Sequence, residues 1–166
     1  PFGGLVAARW GQMGRVFSSP GPIYEPEGRT ADYWRTARAL FAAGFRAGDL
    51  VHNSFSYHMT PGAWILEGGA LALGCTVFPG GVGQTEQQVQ AMADLQPQGY
   101  VGTPSYLMHL AQKGEEKGLN LRKDLYLEVA FVTGEKFSEK MRSTLEKKFD
   151  LIMRQGYGTA DVGCIG

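Results

Sequence analysis

The feature that most constrains this chain is a regular alternation of short apolar segments with longer amphipathic ones. The predicted strands are residues 13–19, 49–55, 75–80, 99–103, 126–134 and 151–158. The predicted helices are residues 32–45, 61–74, 85–96, 104–118 and 138–149. The short strands are nearly all apolar, which is typical of a sheet buried on both faces. Successive strand–helix units therefore predict an α/β fold with a largely parallel sheet flanked by helices.

Two local signals refine this pattern. Asp32 stands at the beginning of helix 32–45, where a short acidic side chain caps the free N–H groups of the first turn. Residues 19–28 contain three prolines, which lack a backbone N–H, so we expect this stretch to be irregular.

Composition excludes several classes of protein. The 166 residues are enough for one ordinary domain, and Lys+Arg equals Asp+Glu at 16 each, so no basic field attracts nucleic acid. No apolar run is long enough to span a bilayer, so no membrane contact is expected. The two cysteines are isolated, which fits a reducing cytoplasm and excludes a disulfide framework.

Polar loops follow the predicted strands. In open parallel sheets, ligands bind beyond the carboxyl ends of the strands, so loops at that edge are candidates for a binding site. Five such loops are residues 18–28, 54–61, 79–85, 133–137 and 156–163. The glycine-rich loop 79–85 either binds an anion through its backbone N–H groups or, more simply, is a tight turn between strand and helix.

Three of these loops carry reactive or aromatic side chains. In loop 156–163, Tyr157, Thr159 and Asp161 would suit a nucleotide base, a phosphate and Mg²⁺ respectively. Glu135 is either a functional acid or the acid that favours the beginning of the next helix. His58 either lines a pocket or packs, and no histidine or cysteine shows the spacing of a zinc site.

These loops, in this order, resemble those of the phenylacetate–coenzyme A ligase family of the adenylate-forming enzymes. Residues 37–62 are similar to the family's helix, its G…GD turn and the aromatic strand that follows. Residues 74–107 resemble its P-x-G-x-G-x-T-E turn, helix and T-P-S-Y strand end. Residues 132–149, "VTGEKFSEKMRSTLEKKF", resemble its G-A-E-P loop and helix. Residues 155–163, "QGYGTADVG", resemble its Y-G-x-[ST]-E-x-G motif.

The resemblance implies how a nucleotide would be bound. Thr133, Gly134 and Glu135 would lie against the adenine or the acyl pocket. Tyr157 would stack on the adenine, and Gly158 would approach the α-phosphate.

It also implies the catalytic and substrate contacts. Thr159 would approach the α-phosphate beside Gly158, and Asp161 would stand in the position of the family's Mg²⁺-binding glutamate. Both are candidate catalytic residues. The loop over the triphosphate would begin at Ser18 and Ser19. The acyl pocket would lie near Tyr57 and His58.

Enzymes of this family join a carboxylic acid to ATP as an acyl-adenylate and then pass the acyl group to coenzyme A. The resemblance therefore implies ATP, Mg²⁺ and coenzyme A, with an aryl acid such as phenylacetate as substrate. Residues 1–166 would be a single partial domain, the core of the large AMP-binding domain. The small C-terminal domain with its lysine would lie outside it. We expect such a fragment to be inactive alone and, through an exposed apolar edge, able to form a homodimer.

Two departures from the family pattern leave other functions open. The family's phosphate loop is similar to Ser-Gly-Thr-Thr-Gly-Lys-Pro, whereas residues 18–26, "SSPGPIYEP", have neither the threonine pair nor the lysine. In the tyrosine motif, Ala160 replaces a hydroxyl residue and Asp161 is one carbon shorter than glutamate. The alternatives are a divergent adenylate-forming enzyme with another acyl acceptor and a non-catalytic nucleotide-binding or scaffold domain.

Overall fold

The computed structural model describes residues 2–21 and 23–166. Its strands are β1 (Arg15–Ser19), β2 (Ile23–Glu27), β3 (Leu50–Asn53), β4 (Thr76–Pro79), β5 (Gly99–Gly102), β6 (Val129–Val132), β7 (Ile152–Gln155), β8 (Gly158–Thr159) and β9 (Gly163–Cys164). Its helices are α1 (Thr36–Ala43), α2 (Gly62–Leu73), α3 (Thr85–Leu95), α4 (Pro104–Glu116), α5 (Leu121–Asp124) and α6 (Glu139–Phe149). Among these described residues, no helix has both the length and the apolar character needed to cross a membrane.

Strands β3 to β7 form one sheet, and its order is β4-β3-β5-β6-β7. Every neighbouring pair in this sheet is parallel, which confirms the predicted α/β fold. The chain runs from β3 outward to β4 and then returns to β5 on the other side of β3. Such a change of direction leaves a crevice at the carboxyl ends of β3 and β5, and ligands bind in crevices of this kind in open parallel sheets.

The sheet is covered on both faces. Along β6, Val129 and Phe131 belong to one apolar cluster, while Ala130 and Val132 belong to another. The first cluster includes residues of α1 and α2, and the second includes residues of α3, α4 and α6. Because successive side chains of a strand point to opposite faces, the two clusters are the two sides of one sheet. This double burial explains why the strands are nearly all apolar.

Helix α1 begins later than the sequence suggests. The carboxylate of Asp32 accepts hydrogen bonds from the backbone N–H groups of Thr36 (2.8 Å) and Ala37 (3.1 Å), so it does cap the helix. The helix itself starts only at Thr36, because Arg35 adopts the left-handed conformation with φ of 60°. Trp34 is buried before the helix, and its carbonyl accepts a hydrogen bond from the Cys164 N–H.

The prediction that residues 19–28 are irregular is wrong. Strand β2 covers Ile23–Glu27 and pairs antiparallel with β1, with Val16 opposite Pro26. Proline is confined to edge strands because it donates no ladder hydrogen bond, and both strands of a two-stranded ribbon are edges. Loop 18–28 is therefore mostly a hairpin outside the main sheet, and not a loop at the end of a parallel strand.

Large apolar side chains remain exposed on the edge strand β7 and on helix α1. Ile152 of the edge strand β7 is 54% exposed, and Phe41 of α1 is exposed to the same extent. Self-association through such a surface stays a prediction.

Close contact between α1 and α2 yields a test of this packing. A Cβ added at Gly69 would lie 2.2 Å from Thr36 Oγ1 and 2.8 Å from the Ala37 backbone N, whereas at Gly68 it would meet nothing within 4 Å. We expect Gly69→Ala to lower the free energy of unfolding by about 1–3 kcal/mol through overpacking. Gly68→Ala in the same helix should raise it by roughly 0.5–1 kcal/mol. Urea unfolding of both variants measures this, and equal effects would contradict the packing described.

Candidate functional site

A cavity of about 480 Å³ opens at the carboxyl edge of the sheet. It is walled by residues that follow β3, β6 and β7, together with residues of α2 and the β1–β2 hairpin. Seven of the eleven residues that the sequence singled out line it, namely Ser19, Thr133, Gly134, Tyr157, Gly158, Thr159 and Asp161. The tertiary structure thus brings together residues from three separate loops.

Two of the other four are engaged elsewhere. Ser18 does not line the cavity, and its backbone N–H donates to the Met59 carbonyl (2.9 Å). The Glu135 carboxylate accepts hydrogen bonds from the Ser105 N–H (2.6 Å) and the Ser105 hydroxyl (2.9 Å). Glu135 therefore binds the first turn of α4, and not the beginning of the helix that follows it in sequence.

Tyr57 and His58 also lie outside the cavity wall. The Tyr57 hydroxyl donates to Glu67 Oε2 (2.6 Å) and accepts from Asn53 Nδ2 (3.0 Å). Burial, and then the Glu67 carboxylate, raise the pKa of Tyr57, so its proton stays in place. His58 is exposed, and the aromatic side chain of this loop that does reach the cavity is Phe55.

The loop between β7 and the end of the chain is held by Trp34, which sequence reasoning missed. Trp34 Nε1 donates to the Ala160 carbonyl (2.9 Å). Gly163 has a φ of +78°, and a Cβ there would lie 2.5 Å from the Trp34 carbonyl oxygen. The loop therefore presents Tyr157 and Asp161, both exposed, from a backbone anchored on a buried indole. The signal in the sequence was a large aromatic residue just before α1.

Loop 79–85 does not line the cavity, and the structure favours the simpler interpretation of a tight turn. Gln88 Nε2 donates to the carbonyls of Gly81 (3.0 Å) and Gly83 (2.7 Å). Gln88 Oε1 in turn accepts from His52 Nε2 (2.7 Å). Burial lowers the pKa of His52, and the hydrogen bond to Gln88 only partly opposes this.

Sequence reasoning also missed Glu25, which lines the cavity from β2. In the family's phosphate loop, proline directly follows lysine and stands five residues after the first glycine. Gly21 and Pro26 have that spacing here, so the available signal was an acid, Glu25, in the position of the lysine.

The charge of the cavity is unusual for a phosphate site. Glu25 and Asp161 are its two carboxylates, and no Lys, Arg or His is among the described residues that line it. Within residues 2–21 and 23–166, no three or more His, Cys, Asp and Glu side chains are grouped to hold a metal ion by themselves. The donor set fits Mg²⁺, which commonly takes one or two protein carboxylates and completes its shell with phosphates and water.

Comparisons with known proteins agree with this geometry. The chain is 34% identical to phenylacetate-coenzyme A ligase of Pseudomonas putida over 96% of its own length, and 32% identical to that of Escherichia coli K12 over 91%. A solved 2-hydroxyisobutyryl-CoA ligase in complex with 2-HIB-AMP and CoA matches 97% of the chain at 28% identity, with a TM-score of 0.90. The chain belongs to the phenylacetate–coenzyme A ligase family. No family model matches it.

The match covers only part of these relatives. The chain spans 38% of the length of the Pseudomonas putida phenylacetate-coenzyme A ligase and 36% of the solved 2-hydroxyisobutyryl-CoA ligase. Acyl-CoA synthetase of Brucella canis, at 20% identity and a TM-score of 0.71, shares the fold. Membership of the phenylacetate–coenzyme A ligase family thus accounts for the α/β architecture and for the clustering of the strand-end loops.

The buried His52 predicts a dependence of stability on pH. Because the pKa of His52 in the folded chain lies below the ordinary value of 6.5, the unfolded chain binds a proton that the folded chain does not. The free energy of unfolding should therefore fall as the pH drops below 6.5, by at most about 1.4 kcal/mol per pH unit. Urea unfolding between neutral and mildly acidic pH measures the slope. His52→Gln should flatten it, while replacement of the exposed His109 by Gln should not, and equal slopes would refute the assignment.

Proposed function

We propose that the protein containing this chain is an ATP-dependent acid–coenzyme A ligase that acts through an acyl-adenylate. The observation that carries the proposal is the cavity at the carboxyl edge of the sheet, lined by seven of the eleven residues to which the family resemblance assigns roles. The relatives add support, since they are phenylacetate-coenzyme A ligases and the solved 2-hydroxyisobutyryl-CoA ligase holds an acyl-adenylate and CoA.

The proposed reaction has two steps. A carboxylate oxygen of the acid attacks the α-phosphorus of ATP, the bond to the β-phosphate oxygen breaks, and pyrophosphate leaves. The sulfur of coenzyme A then attacks the carbonyl carbon of the acyl-adenylate. The bond between that carbon and the phosphate oxygen breaks, AMP leaves with the oxygen, and the thiol proton is released.

The residues of the cavity suit these steps. Tyr157, 66% exposed, offers an aromatic face for the adenine, and Gly158 leaves room for the α-phosphate beside the Thr159 hydroxyl. The apolar side chains of Phe55 and Leu66 line the same cavity and suit the ring of an aryl acid such as phenylacetate. An aromatic wall recognises such a ring through its area and its stacking geometry.

Asp161 is the residue proposed to hold Mg²⁺. Its carboxylate is exposed at the cavity, where it can reach a cation shared with the phosphates. When bound, Mg²⁺ supplies positive charge to the phosphate oxygens during the displacement. The protein itself orients the Asp161 carboxylate, because Trp34 anchors the loop that carries it.

A cytoplasmic location is part of the proposal. Cys75 and Cys164 are both free thiols, which agrees with a reducing compartment.

One observation favours a second candidate, a non-catalytic nucleotide-binding or scaffold domain. The wall that the family pattern equips with lysine carries Glu25 here, and no basic residue is found among the described residues of the cavity. ATP–pyrophosphate exchange by the protein expressed from its complete reading frame separates the two candidates. Exchange that depends on an added carboxylic acid supports the ligase, and binding of nucleotide without exchange supports the scaffold.

Replacement of Asp161 tests the metal contact. Asp161→Asn keeps the shape and removes the charge, so we expect the exchange rate to fall by roughly two orders of magnitude or more. The melting temperature should stay the same because Asp161 is exposed. Asp94→Asn on α3, also exposed, is the matched control and should leave both unchanged. An unchanged rate in Asp161→Asn, with active wild type, would assign the metal to another group.

The isolated 166-residue chain should form no acyl-coenzyme A. It covers 38% of the length of the Pseudomonas putida relative, and the second step is proposed to need residues outside it. A coupled assay for AMP release with phenylacetate, ATP and coenzyme A measures this. Turnover by the isolated chain would place the complete catalytic machinery within these residues.

A further inference from the structure

A buried carboxylate without a partner stands in the wall of the candidate site. Glu25 lies in the middle of β2 and is only 9% exposed. Its Oε2 atom is buried and has no hydrogen-bond partner among the described residues. A buried polar oxygen without a partner is unfavourable, and a bound ion or ligand is one means of satisfying it.

The neighbouring acid on the same strand is a useful contrast. Arg15 Nη1 donates to Glu27 Oε2 at 2.7 Å, and Glu27 lines a neighbouring cavity of about 660 Å³ but not the 480 Å³ cavity. The same ribbon therefore pairs one glutamate with an arginine and leaves an oxygen of the other unpaired. The lack of a partner for Glu25 is local, and a shortage of basic residues on the hairpin does not explain it.

Glu25 and Asp161 stand where two cavities adjoin. Both residues line the 480 Å³ cavity and also a second one of about 660 Å³, whose wall includes residues of the N-terminal segment. No Lys, Arg or His is among the described residues that line either cavity. No protein side chain among these lining residues therefore supplies positive charge to the two carboxylates.

We propose that Glu25 and Asp161 together bind a divalent cation at this junction, with Glu25 as a ligand that this chain has in place of a basic side chain. The χ3 torsion of glutamate is broad, so a small rotation turns either oxygen of Glu25 toward the cavity. Two carboxylates do not complete the shell of a hard cation, and water or phosphate oxygens supply the rest.

The proposed cation site deepens the proposed function. Its expected effect on ATP binding rests on that function. A bound cation offsets the charge of the two carboxylates and presents positive charge to a polyphosphate. Binding of ATP in this cavity should then depend strictly on a divalent cation, because without it Glu25 and Asp161 repel the phosphates.

Binding of Mn²⁺, followed by the loss of its free-ion electron paramagnetic resonance signal, tests the site directly. The protein from the complete reading frame is titrated without nucleotide and again with α,β-methylene-ATP. We expect Glu25→Gln and Asp161→Asn each to weaken Mn²⁺ binding by about tenfold, since each removes one of the two charges that attract the ion. Glu27→Gln, on the same strand but paired with Arg15, should bind Mn²⁺ as the wild type does.

A second measurement guards against a folding defect. A fixed concentration of Mg²⁺ should raise the melting temperature of the wild type and of Glu27→Gln by more than it raises that of Glu25→Gln. Glu25→Gln keeps the shape of the side chain and removes a buried charge, so it should fold without the metal. A rise of equal size in Glu25→Gln would overturn the proposal, as would Mn²⁺ binding equal to that of the wild type.

Three further outcomes bear on the cation site and on the proposed ligase activity. Failure of the wild type to bind Mn²⁺ overturns the cation site. Tighter binding of metal-free α,β-methylene-ATP by Glu25→Gln, with Mn²⁺ binding unchanged, would mean that Glu25 only repels phosphate. Intact Mn²⁺ binding without pyrophosphate exchange would refute the ligase and leave the cation site standing, so the two proposals fail separately.

Discussion

The parallel direction of all five strands in the main sheet is the constraint on which the rest of this structure depends. Parallel strands need a crossover after each strand, and the helices of those crossovers bury both faces of the sheet. The polar segments that remain are the loops, and those that follow the strands meet at one edge. A site built from residues as distant in sequence as Phe55, Thr133 and Tyr157 is a direct consequence.

The shape of this edge depends on aromatic packing from the other parts of the chain. The Phe131 ring lies where a Cβ of residue 156 would fall, within 2.1 Å, so only glycine lets the chain turn out of β7 there. Trp34 then holds the carbonyl of Ala160 and passes close to Gly163. The exposed side chains of the tyrosine motif are thus positioned by the buried rings of Phe131 and Trp34.

Charge is where this member of the phenylacetate–coenzyme A ligase family departs most from the pattern it resembles. When the loop is matched by the spacing of Gly21 and Pro26, an acid, Glu25, corresponds to the phosphate-loop lysine, and the hairpin that bears it is an antiparallel ribbon outside the main sheet. Such a ribbon can change its charge without disturbing the sheet, because its contacts with the parallel strands are few. A cation recruited from solution is one physical solution to the same electrostatic problem that lysine solves in the family pattern.

The sequence by itself determined the elements of the main sheet, the helices between them and most of the cavity's tyrosine motif. Periodicity and strand-end position are local properties, and they specify which residues lie at the carboxyl edge. Only the tertiary structure decided which strands pair and which side chains form hydrogen bonds with one another. It made β2 a strand despite Pro26, turned Glu135 to Ser105 on α4, and bonded Tyr57 to Glu67. It also left Glu25 buried and unpaired beside the cavity. These outcomes depend on which distant side chains meet, and no local pattern in the sequence encodes those distances.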